Sequence, residues 1–562
     1  MEAITDRINL TFSDHNQIER ELPMRILVIA DLTADDRSEV VDIDDHRLLK
    51  ADVGELMRNW NVCFKANIPN HLQPRFDVLL EIDYQLVSID QFVPDQLIRD
   101  IPLLNRASQL YRLLTEENVK RKEIQPLLEE FQYSDSEFDT QADRLLIQAD
   151  LEQRIQQQLN EVLNHTIFSQ LEQSWRTIDF LRRNTPGDEN IEVILWNSSK
   201  KALTEDFEDS PDITQSSLYE KVYQREFGQL GGKPYTLIVT DFDIGENSQD
   251  VALIKNMAAV AAMSHCPVIS NASASLLGVS SFSELPTIRD LDAHFGQPAY
   301  ARWQSFRSSS DSRYVALALP RFLLRSRYEN YDSGVRFSES GPGSVSGVWG
   351  PSSVALASVF IRSFAKYRWF VNVTGDEYGL VDEISIKESN SRIRNIIPTE
   401  VMISDKTLHQ LTRHGFTALS IYKRCRTAGF SAVPACLNYS DDETSGADDV
   451  MNQHLDGQLP FIMISCRFSH YLKIMQRENI GTWQTRSQIE QSLNSWLRQF
   501  VSDMDSPSPG VRAKRPLRSA SVKVREAEGR GGWYLIRIIL TPHFKYMGKT
   551  FTLKEKGRLE KA

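Results

Sequence analysis

The sequence predicts a mixed α/β fold: a small N-terminal α/β domain, a larger multi-layer α/β domain and a C-terminal region of antiparallel strands. Three observations predict it. Continuous apolar runs typical of buried strands alternate with segments of helical period along most of the chain. A chain of 562 residues is too long for one hydrophobic core. Residues 519–559 alternate between polar and apolar side chains, as antiparallel strands do.

Domain boundaries follow from changes in composition. We predict a small domain over residues 1–131, an acidic linker over 132–150, a large domain over 151–505 and a basic β region over 506–562. The linker is placed where acidic and polar residues interrupt the apolar periodicity.

The first domain begins with strands and ends with a helix. Arg7–Phe12 alternates and predicts a short strand, followed by a polar connector at 13–21. Residues 22–33 form a continuous apolar run typical of a buried strand. Residues 77–92 alternate again, and 94–120 have the helical period with a proline at the start.

The second domain alternates strand and helix, which indicates a parallel component in its sheet. An apolar stripe predicts a long helix over 151–180. Strands are predicted at 191–197 and 234–244, a helix running into a strand at 250–273, and a buried strand at 314–319.

The remaining segments complete the prediction. Residues 337–350 are rich in glycine and serine and predict a loop. Helices are predicted over 352–370 and 458–479. A turn is predicted at 375–380. Two or three antiparallel strands joined at "GRGG" are predicted within 519–559.

The charge is distributed unevenly. The net charge is −12, but residues 1–150 carry 30 acidic against 16 basic side chains, while 505–562 carry 5 against 14. The two ends therefore attract each other at long range. Because the basic end lacks the interleaved aromatics of a nucleic-acid stacking surface, we expect it to contact an acidic protein surface and not nucleic acid.

The composition also limits the class of protein. The sequence contains no run of 18 apolar residues and no secretory signal pattern at its start, so we expect a cytoplasmic protein without membrane insertion. Five scattered cysteines without Cys-x-x-Cys spacing argue against disulfides and structural zinc. No cofactor is predicted.

The sequence gives little evidence for a catalytic or metal-binding site. The glycine-rich loops at 228–234 and 341–347 lack phosphate-loop spacing. Cys466 and His470 stand four apart on a predicted helix, but two ligands do not close a metal site. His265 and Cys266 are adjacent, so their side chains diverge. Packed core residues are the better interpretation of both pairs.

Two charged segments attract attention. Residues 201–209 contain a carboxylate cluster that lacks a calcium-loop pattern, and we interpret it as a solvated acidic face that pairs with a basic neighbour. Residues 303–325, "WQSFRSSSDSRYVALALPRFLLR", carry four arginines and one acid without a catalytic base nearby. Taken alone, these arginines fit two interpretations: a site that binds an anion, or structural ion pairs with carboxylates.

Several long segments, in order, resemble the large subunit of the type VI secretion contractile sheath. They cover the chain from about Leu151 to its C-terminus and include "LNHTIFSQLEQSWRTIDFL", "SLYEKVYQREFGQLGGKPY", "WQSFRSSSDSRYVALALPRFLLR" and "QLPFIMISCRFSHYLKIMQRENIGTW". The first 130 residues resemble the small subunit of the same sheath, through "ERELPMRILVIADLT" and "LEIDYQLVSIDQFVPDQLIRDIPLLNRASQLYRLL". The chain thus resembles a fusion of the two subunits.

The resemblance implies a non-enzymatic structural subunit that polymerises helically with copies of itself around an inner tube protein, meets baseplate components and contracts to propel the tube. Whether a separate small subunit also takes part stays open. The family's large subunit begins with a helical segment that contributes to recognition by a recycling AAA+ unfoldase. Here the acidic linker takes that place, so recycling by this route is not carried over.

The resemblance also implies site residues. Subunits of the family are joined by exchanged strands, and the matching residues here are Arg7, Ile8, Asn9, Leu10, Thr11 and Phe12 at one end and Thr550, Phe551, Thr552, Leu553 and Lys554 at the other. Within 303–325 we predict an ion-pair lock formed by Arg307, Asp311, Arg313 and Arg321, in which Asp311 pairs with Arg307 or Arg313. Which of these partners lies within the subunit and which lies across an interface stays open.

Two alternatives stay open. One is a specialised sheath-end or baseplate-associated paralogue that does not polymerise alone. The other, from a different class, is an α/β hydrolase or phosphotransfer enzyme.

Overall fold

The fold is that of a computed structural model. It describes residues 11–13, 19–34, 46–47, 52–74, 79–116, 121–133, 141–187, 190–229, 231–329, 331–332, 334–340, 347–385, 387–388, 395–422, 426–438, 457–478, 486–502, 504, 511, 515–526, 534–542 and 553–557.

A nine-stranded mixed sheet forms the centre of the described chain. Its strands, in spatial order, are β15 (Leu380–Ser385), β19 (Thr427–Phe430), β18 (Phe416–Tyr422), β10 (Val315–Leu319), β9 (Val268–Ala272), β8 (Leu237–Ile244), β3 (Met24–Ala30), β7 (Ile191–Asn197) and β4 (His46–Arg47). The six strands from β18 to β7 are parallel, and the strands at both edges run antiparallel. The predicted parallel component is confirmed.

Smaller antiparallel sheets surround this centre. Their strands are β1 (Thr11–Ser13) with β2 (Glu19–Glu21), β5 (Cys63–Ile68) with β6 (Leu80–Gln85), β11 (Phe322–Ser326) with β14 (Gly347–Gly350), β12 (Tyr331–Asp332) with β13 (Arg336–Phe337), β16 (Lys387–Glu388) with β17 (Asn395–Ile396), and the set β20 (Leu517–Glu526), β21 (Tyr534–Pro542) and β22 (Leu553–Gly557).

Helices cover the central sheet and connect its strands. They are α1 (Val53–Asn59), α2 (Pro94–Asp100), α3 (Pro102–Thr115), α4 (Arg121–Glu130), α5 (Gln141–Leu163), α6 (Thr166–Arg183), α7 (Lys200–Asp209), α8 (Ser217–Tyr219), α9 (Arg225–Phe227), α10 (Ser248–Ser264), α11 (Leu291–Phe295), α12 (Ala301–Arg307), α13 (Ser352–Tyr367), α14 (Gly375–Tyr378), α15 (Asp405–Arg413), α16 (Leu459–Glu478) and α17 (Arg486–Arg498).

Strand β3 comes from the N-terminal part but lies inside the large sheet. All seven of its residues are buried. It pairs in parallel with β7 along its whole length, from Met24 opposite Ile191 to Ala30 opposite Asn197, and with β8 on its other side. Its neighbours on both sides follow residue 190, so the two predicted parts of the chain share one sheet.

The linker prediction is wrong over 141–150, where α5 already runs. Ile147 of this segment is buried in the same core as Leu151 and Ile155. The acidic composition hid one apolar position per turn, which is enough to bury a helix face. Residues 134–140 lie outside the described part of the chain.

Four other predictions need correction. The long helix predicted over 151–180 is two helices, α5 and α6, which are separated at residues 164–165. The helix predicted over 94–120 is two helices, because Pro102 cannot donate the backbone bond that would continue α2. Within 77–92, residues 77 and 78 lie outside the described chain; of the described residues 79–92, Leu80–Gln85 is a strand and Ile89–Phe92 is a short 3₁₀ turn capped by Ser88. Gly347–Gly350, predicted as loop, is β14.

Candidate assembly interface

The C-terminal sheet contains one of the two predicted exchange segments. Strands β20, β21 and β22 are antiparallel neighbours in that order. One face is apolar and buried, and its side chains are those of Val522, Val524, Ile536, Ile538 and Leu540. Helix α17 packs beside β20 through buried side chains of Leu493, Trp496 and Leu497.

The last strand of this sheet holds two of the predicted exchange residues. Leu553 and Lys554 begin β22 and stand opposite Leu540 and Ile539 of β21. Thr550, Phe551 and Thr552 lie outside the described residues. In the single chain β22 therefore occupies the edge of β21 by backbone pairing.

The opposite edge of the sheet is closed by side chains of α17. The Asn494 side chain donates to the Val522 carbonyl at 2.9 Å and accepts from the Val522 amide at 2.9 Å. A Glu490 carboxylate oxygen accepts from the Val524 amide at 3.0 Å. Because these backbone groups are already satisfied, β20 offers a poor edge for a further strand. On the other side of the sheet, β21 pairs with β22.

At the other end of the chain, Thr11 and Phe12 lie in β1. They pair with Glu21 and Arg20 of β2. The segment predicted as a polar connector thus contains a strand at Glu19–Glu21. Residues 7–10 lie outside the described part of the chain.

The segment that follows β2 is fixed to the C-terminal part. The Leu22 amide donates to the Tyr471 hydroxyl at 2.8 Å, and Arg467 donates to the Leu22 carbonyl at 2.8 Å. Arg25, inside β3, lies 3.2 Å from Glu192 and 2.7 Å from Glu226. A buried arginine needs such carboxylates to offset its desolvation.

The predicted pairing of Asp311 with Arg307 or Arg313 is not seen among the described residues of the single chain, and pairing across a subunit interface stays a prediction. The buried Arg307 donates through Nε to the Cys436 carbonyl at 3.1 Å. Arg313 donates through Nε to the Ser310 carbonyl at 2.8 Å. Asp311 accepts from the Ser310 hydroxyl at 3.0 Å. In the tight turn at residues 310–314, the Arg313 guanidinium bonds to the Ser310 carbonyl and not to the Asp311 carboxylate.

Arg321 forms an ion pair within the chain. Its Nε and one terminal nitrogen each lie 3.0 Å from a Glu400 oxygen, in bidentate geometry. The Glu400 amide also donates to the Arg321 carbonyl at 3.1 Å. This pair fastens the segment before α15 to the end of β10.

A buried ion-pair network around Arg325 was not predicted from the sequence. Arg325 lies 2.8 Å from Glu172 of α6 and 2.8 Å from Glu339. Glu172 is fully buried and also accepts from Arg176 at 2.7 Å. The sequence does contain one sign of this network: Glu172 follows Leu171 within the apolar stripe of a predicted helix, where a charged side chain needs a partner.

Side chains and backbone of neighbouring elements bond to β8 near its carboxyl end. The Ser353 hydroxyl, at the start of α13, donates to the Thr240 carbonyl at 2.7 Å, and its amide donates to the Asn271 side-chain oxygen of β9 at 2.8 Å. One residue further along β8, Asp241 accepts from the Ser174 hydroxyl of α6 at 3.2 Å.

The groups near this end of β8 have perturbed acidities. Burial raises the pKa of Asp241 to about 8; the bond from Ser174 opposes the shift, and Asp31 and Asp243 add to it. Burial also raises the pKa of Asp243 to about 6.

The reactive pairs weighed from the sequence are packed in the core. Burial raises the pKa of the Cys266 thiol and lowers the pKa of His265 well below its ordinary value. His470 Nε2 donates to the Ser264 carbonyl at 3.0 Å, and burial lowers its pKa to about 3. These groups are neutral hydrogen-bonding or apolar side chains at physiological pH.

Within the described ranges, no three His, Cys, Asp or Glu side chains are grouped as a metal site would require. In the same ranges, no helix has the length and apolarity needed to cross a bilayer.

Three family models match the chain. One, described as EvpB/VC_A0108, tail sheath N-terminal domain, matches residues 146–436. A second, EvpB/VC_A0108, tail sheath gpW/gp25-like domain, matches 448–559. A third, Type VI secretion system, VipA, VC_A0107 or Hcp2, matches 2–160.

One related sequence and two solved structures are similar to the chain. The type VI secretion system sheath protein TssC1 of Pseudomonas aeruginosa is 33% identical over 428 residues, which cover 74% of this chain and 85% of that protein. A chain of the anti-feeding prophage baseplate is 10% identical with a TM-score of 0.37, covering 69% of this chain and 77% of that one. A chain of the contracted anti-feeding prophage sheath is 9% identical with a TM-score of 0.34, covering 67% and 80%.

These matches define the class: the chain is a structural subunit of a contractile tail sheath. More particularly, it belongs to the sheath family of type VI secretion systems, and a small-subunit-like region precedes the two large-subunit domains. The predicted fusion of the two resemblances is confirmed.

Proposed function

We propose that this protein polymerises with copies of itself into a helical sheath around an inner tube in the cytoplasm, and that contraction of the sheath propels the tube. The sheath family supports this proposal. Its work is mechanical: two lattice arrangements of the same subunits differ in free energy, and contraction moves the polymer from one to the other.

We propose further that neighbouring subunits are joined by strand exchange at the β21 edge. The carrying observation is the asymmetry of the C-terminal sheet. Asn494 and Glu490 satisfy the backbone of β20, whereas β21 is covered only by β22, a five-residue strand. Replacement of β22 by the same strand from a neighbour would leave every backbone pair intact, so exchange costs little.

A scaffold role, and not catalysis, is supported by the structural sheath family to which the chain belongs. Residues 141–150 were predicted as a linker in place of the helical segment that the AAA+ unfoldase recognises. Because this stretch is helical, it gives no reason to exclude recycling by the unfoldase.

Deletion of residues 550–562 tests strand exchange. We expect a folded chain that forms no sheath, because the donated strand is missing. The measurement is negative-stain microscopy of the chain expressed with the tube protein, in which the intact chain should give hollow tubes with cogwheel ends.

The matched control deletes only 558–562 and keeps β22, and it should assemble normally. Contractile tubes from the longer deletion would show that strand exchange is wrong. An intact chain that gives only discrete particles binding a baseplate component would favour the specialised paralogue instead.

A further inference from the structure

The outer face of the C-terminal sheet carries a row of cations. Lys523 of β20 stands directly opposite Arg537 of β21, and Arg525 follows two residues along β20 on the same face. All three side chains are exposed. None of them makes an ion pair with the part of the chain that the structure describes. Like charges placed opposite each other destabilise a strand pair, so a partner of opposite charge would relieve the repulsion.

An acidic surface of the same chain also lacks ion pairs among the described residues, although Asp212 accepts from the Thr214 amide. The C-terminal half of α7 and the turn after it carry Glu205, Glu208, Asp209 and Asp212, and the last turn of α7 has no basic residue. Glu208, Asp209 and Asp212 are exposed, and the structure shows no ion pair for any of the four within its described ranges. Carboxylates at this end of a helix meet the negative pole of its dipole and repel one another at i, i+4 spacing.

Both surfaces are therefore held in a locally unfavourable state that a complementary surface would stabilise. Nucleic acid is a poor partner for the cation row, because the chain carries a net charge of −12 and the row is not interleaved with aromatics. A second copy of the chain brings the required carboxylates. A contact between two different surfaces of identical subunits is heterologous, and such contacts propagate into helical polymers.

We infer that the cation row of one subunit, Lys523, Arg525 and Arg537, docks on the acidic end of α7, Glu205, Glu208, Asp209 and Asp212, of a neighbouring subunit. This inference rests on the proposed polymerisation and adds a second contact to strand exchange. The contact is exposed and electrostatic, so it orients the subunits and weakens with salt.

Charge reversal in the full-length chain tests the contact. The first variant carries Lys523→Glu and Arg537→Glu, the second carries Glu208→Lys and Asp209→Lys, and the third combines all four. All four positions are exposed, and circular dichroism with a melting curve verifies that each variant folds. The readout is the fraction of chain that sediments as sheath, measured at low salt and again at about 0.5 M salt.

We expect each double variant to lower the sedimenting fraction about tenfold at low salt, because two exposed pairs become repulsive. The fourfold variant should return to within about twofold of the unmodified chain, since attraction is restored with the signs exchanged. High salt should reduce the difference between the double variants and the unmodified chain.

The matched control combines the Lys523→Glu and Arg537→Glu changes with Asp376→Lys and Glu377→Lys, an exposed acidic pair in α14. It should remain defective. Equal rescue by this control, or no rescue by the fourfold variant, would overturn the inference. The proposed function would still hold in that case, provided that the unmodified chain assembles. An unmodified chain that forms no sheath would overturn both.

Discussion

Asp241 shows how much a single buried carboxyl can contribute to the pH dependence of this fold. Its oxygen accepts from Ser174, while Asp31 and Asp243 add negative charge around it. The folded chain therefore prefers the neutral acid, with a pKa of about 8 against an ordinary value near 3.9.

The stability of the folded chain should fall as pH rises from about 4 to about 8, because the folded state binds a proton in that range that the unfolded state has released. Asp241→Asn keeps the side chain neutral and should flatten this dependence. Denaturant unfolding of the unassembled chain at pH 5, 7 and 8.5 measures it.

The control for this substitution is Asp209→Asn, at an exposed position, which should leave the pH dependence unchanged. Equal slopes for the Asp241→Asn variant and the unmodified chain would show that Asp241 ionises freely in the folded state.

Residue-level prediction from sequence succeeded for burial and failed for partners. The apolar run that contains Arg25 correctly indicated a buried strand. The carboxylates that neutralise Arg25 lie at Glu192 and Glu226, far along the chain, and no local pattern indicates them. Arg321 shows the same limit, since its partner Glu400 lies 79 residues away.

At the scale of elements, the C-terminal sheet is defined as much by its closed edge as by its open one. Asn494 and Glu490 bond to the backbone groups of Val522 and Val524, so these positions of β20 have few groups left to pair with a further strand.

Asn494→Ala combined with Glu490→Ala should expose the backbone groups of Val522 and Val524 and open the β20 edge. We expect copies to associate edge to edge, giving irregular aggregates in addition to sheath. Sedimentation velocity and microscopy of the full-length chain measure the change.

Asn105→Ala, which removes an exposed side-chain bond on α3, is the matched control and should behave like the unmodified chain. If the double variant keeps both the size distribution and the sheath morphology of the unmodified chain, the side chains of α17 do not protect the β20 edge from pairing.

The elements themselves were predictable where apolar periodicity is strong. Strands β7, β8, β9 and β10 and helix α13 lie where the sequence indicates, because each presents an unbroken apolar run or face. The helix start at Gln141 was missed because acidic residues surround its few buried positions, as at Ile147.

At the scale of the whole molecule, the position of β3 joins regions that the sequence places in separate domains. Seven residues of the N-terminal part form a full register with β7 and a partial one with β8. The core packed against them includes residues from both parts.

The backbone amides of β3 should therefore exchange hydrogen at the same rate as those of β7 and β8, because opening β3 requires opening both neighbours. Hydrogen exchange followed by mass spectrometry on peptides covering 22–33, 190–198 and 236–245 measures this. The short strand β4 at the edge of the same sheet serves as the internal reference and should exchange faster. Faster exchange of β3 than of β7 would mean that the N-terminal part opens as a separate unit.

The placement of β3 also has a consequence for the ribosome. Ala30 and Ile191 are 161 residues apart, so the strand is synthesised long before either of the strands that will flank it. At roughly 5–20 residues per second, this interval is on the order of 10–30 s. During that time β7 and β8 have not yet been synthesised, so this apolar strand lacks the two partners that flank it in the folded sheet.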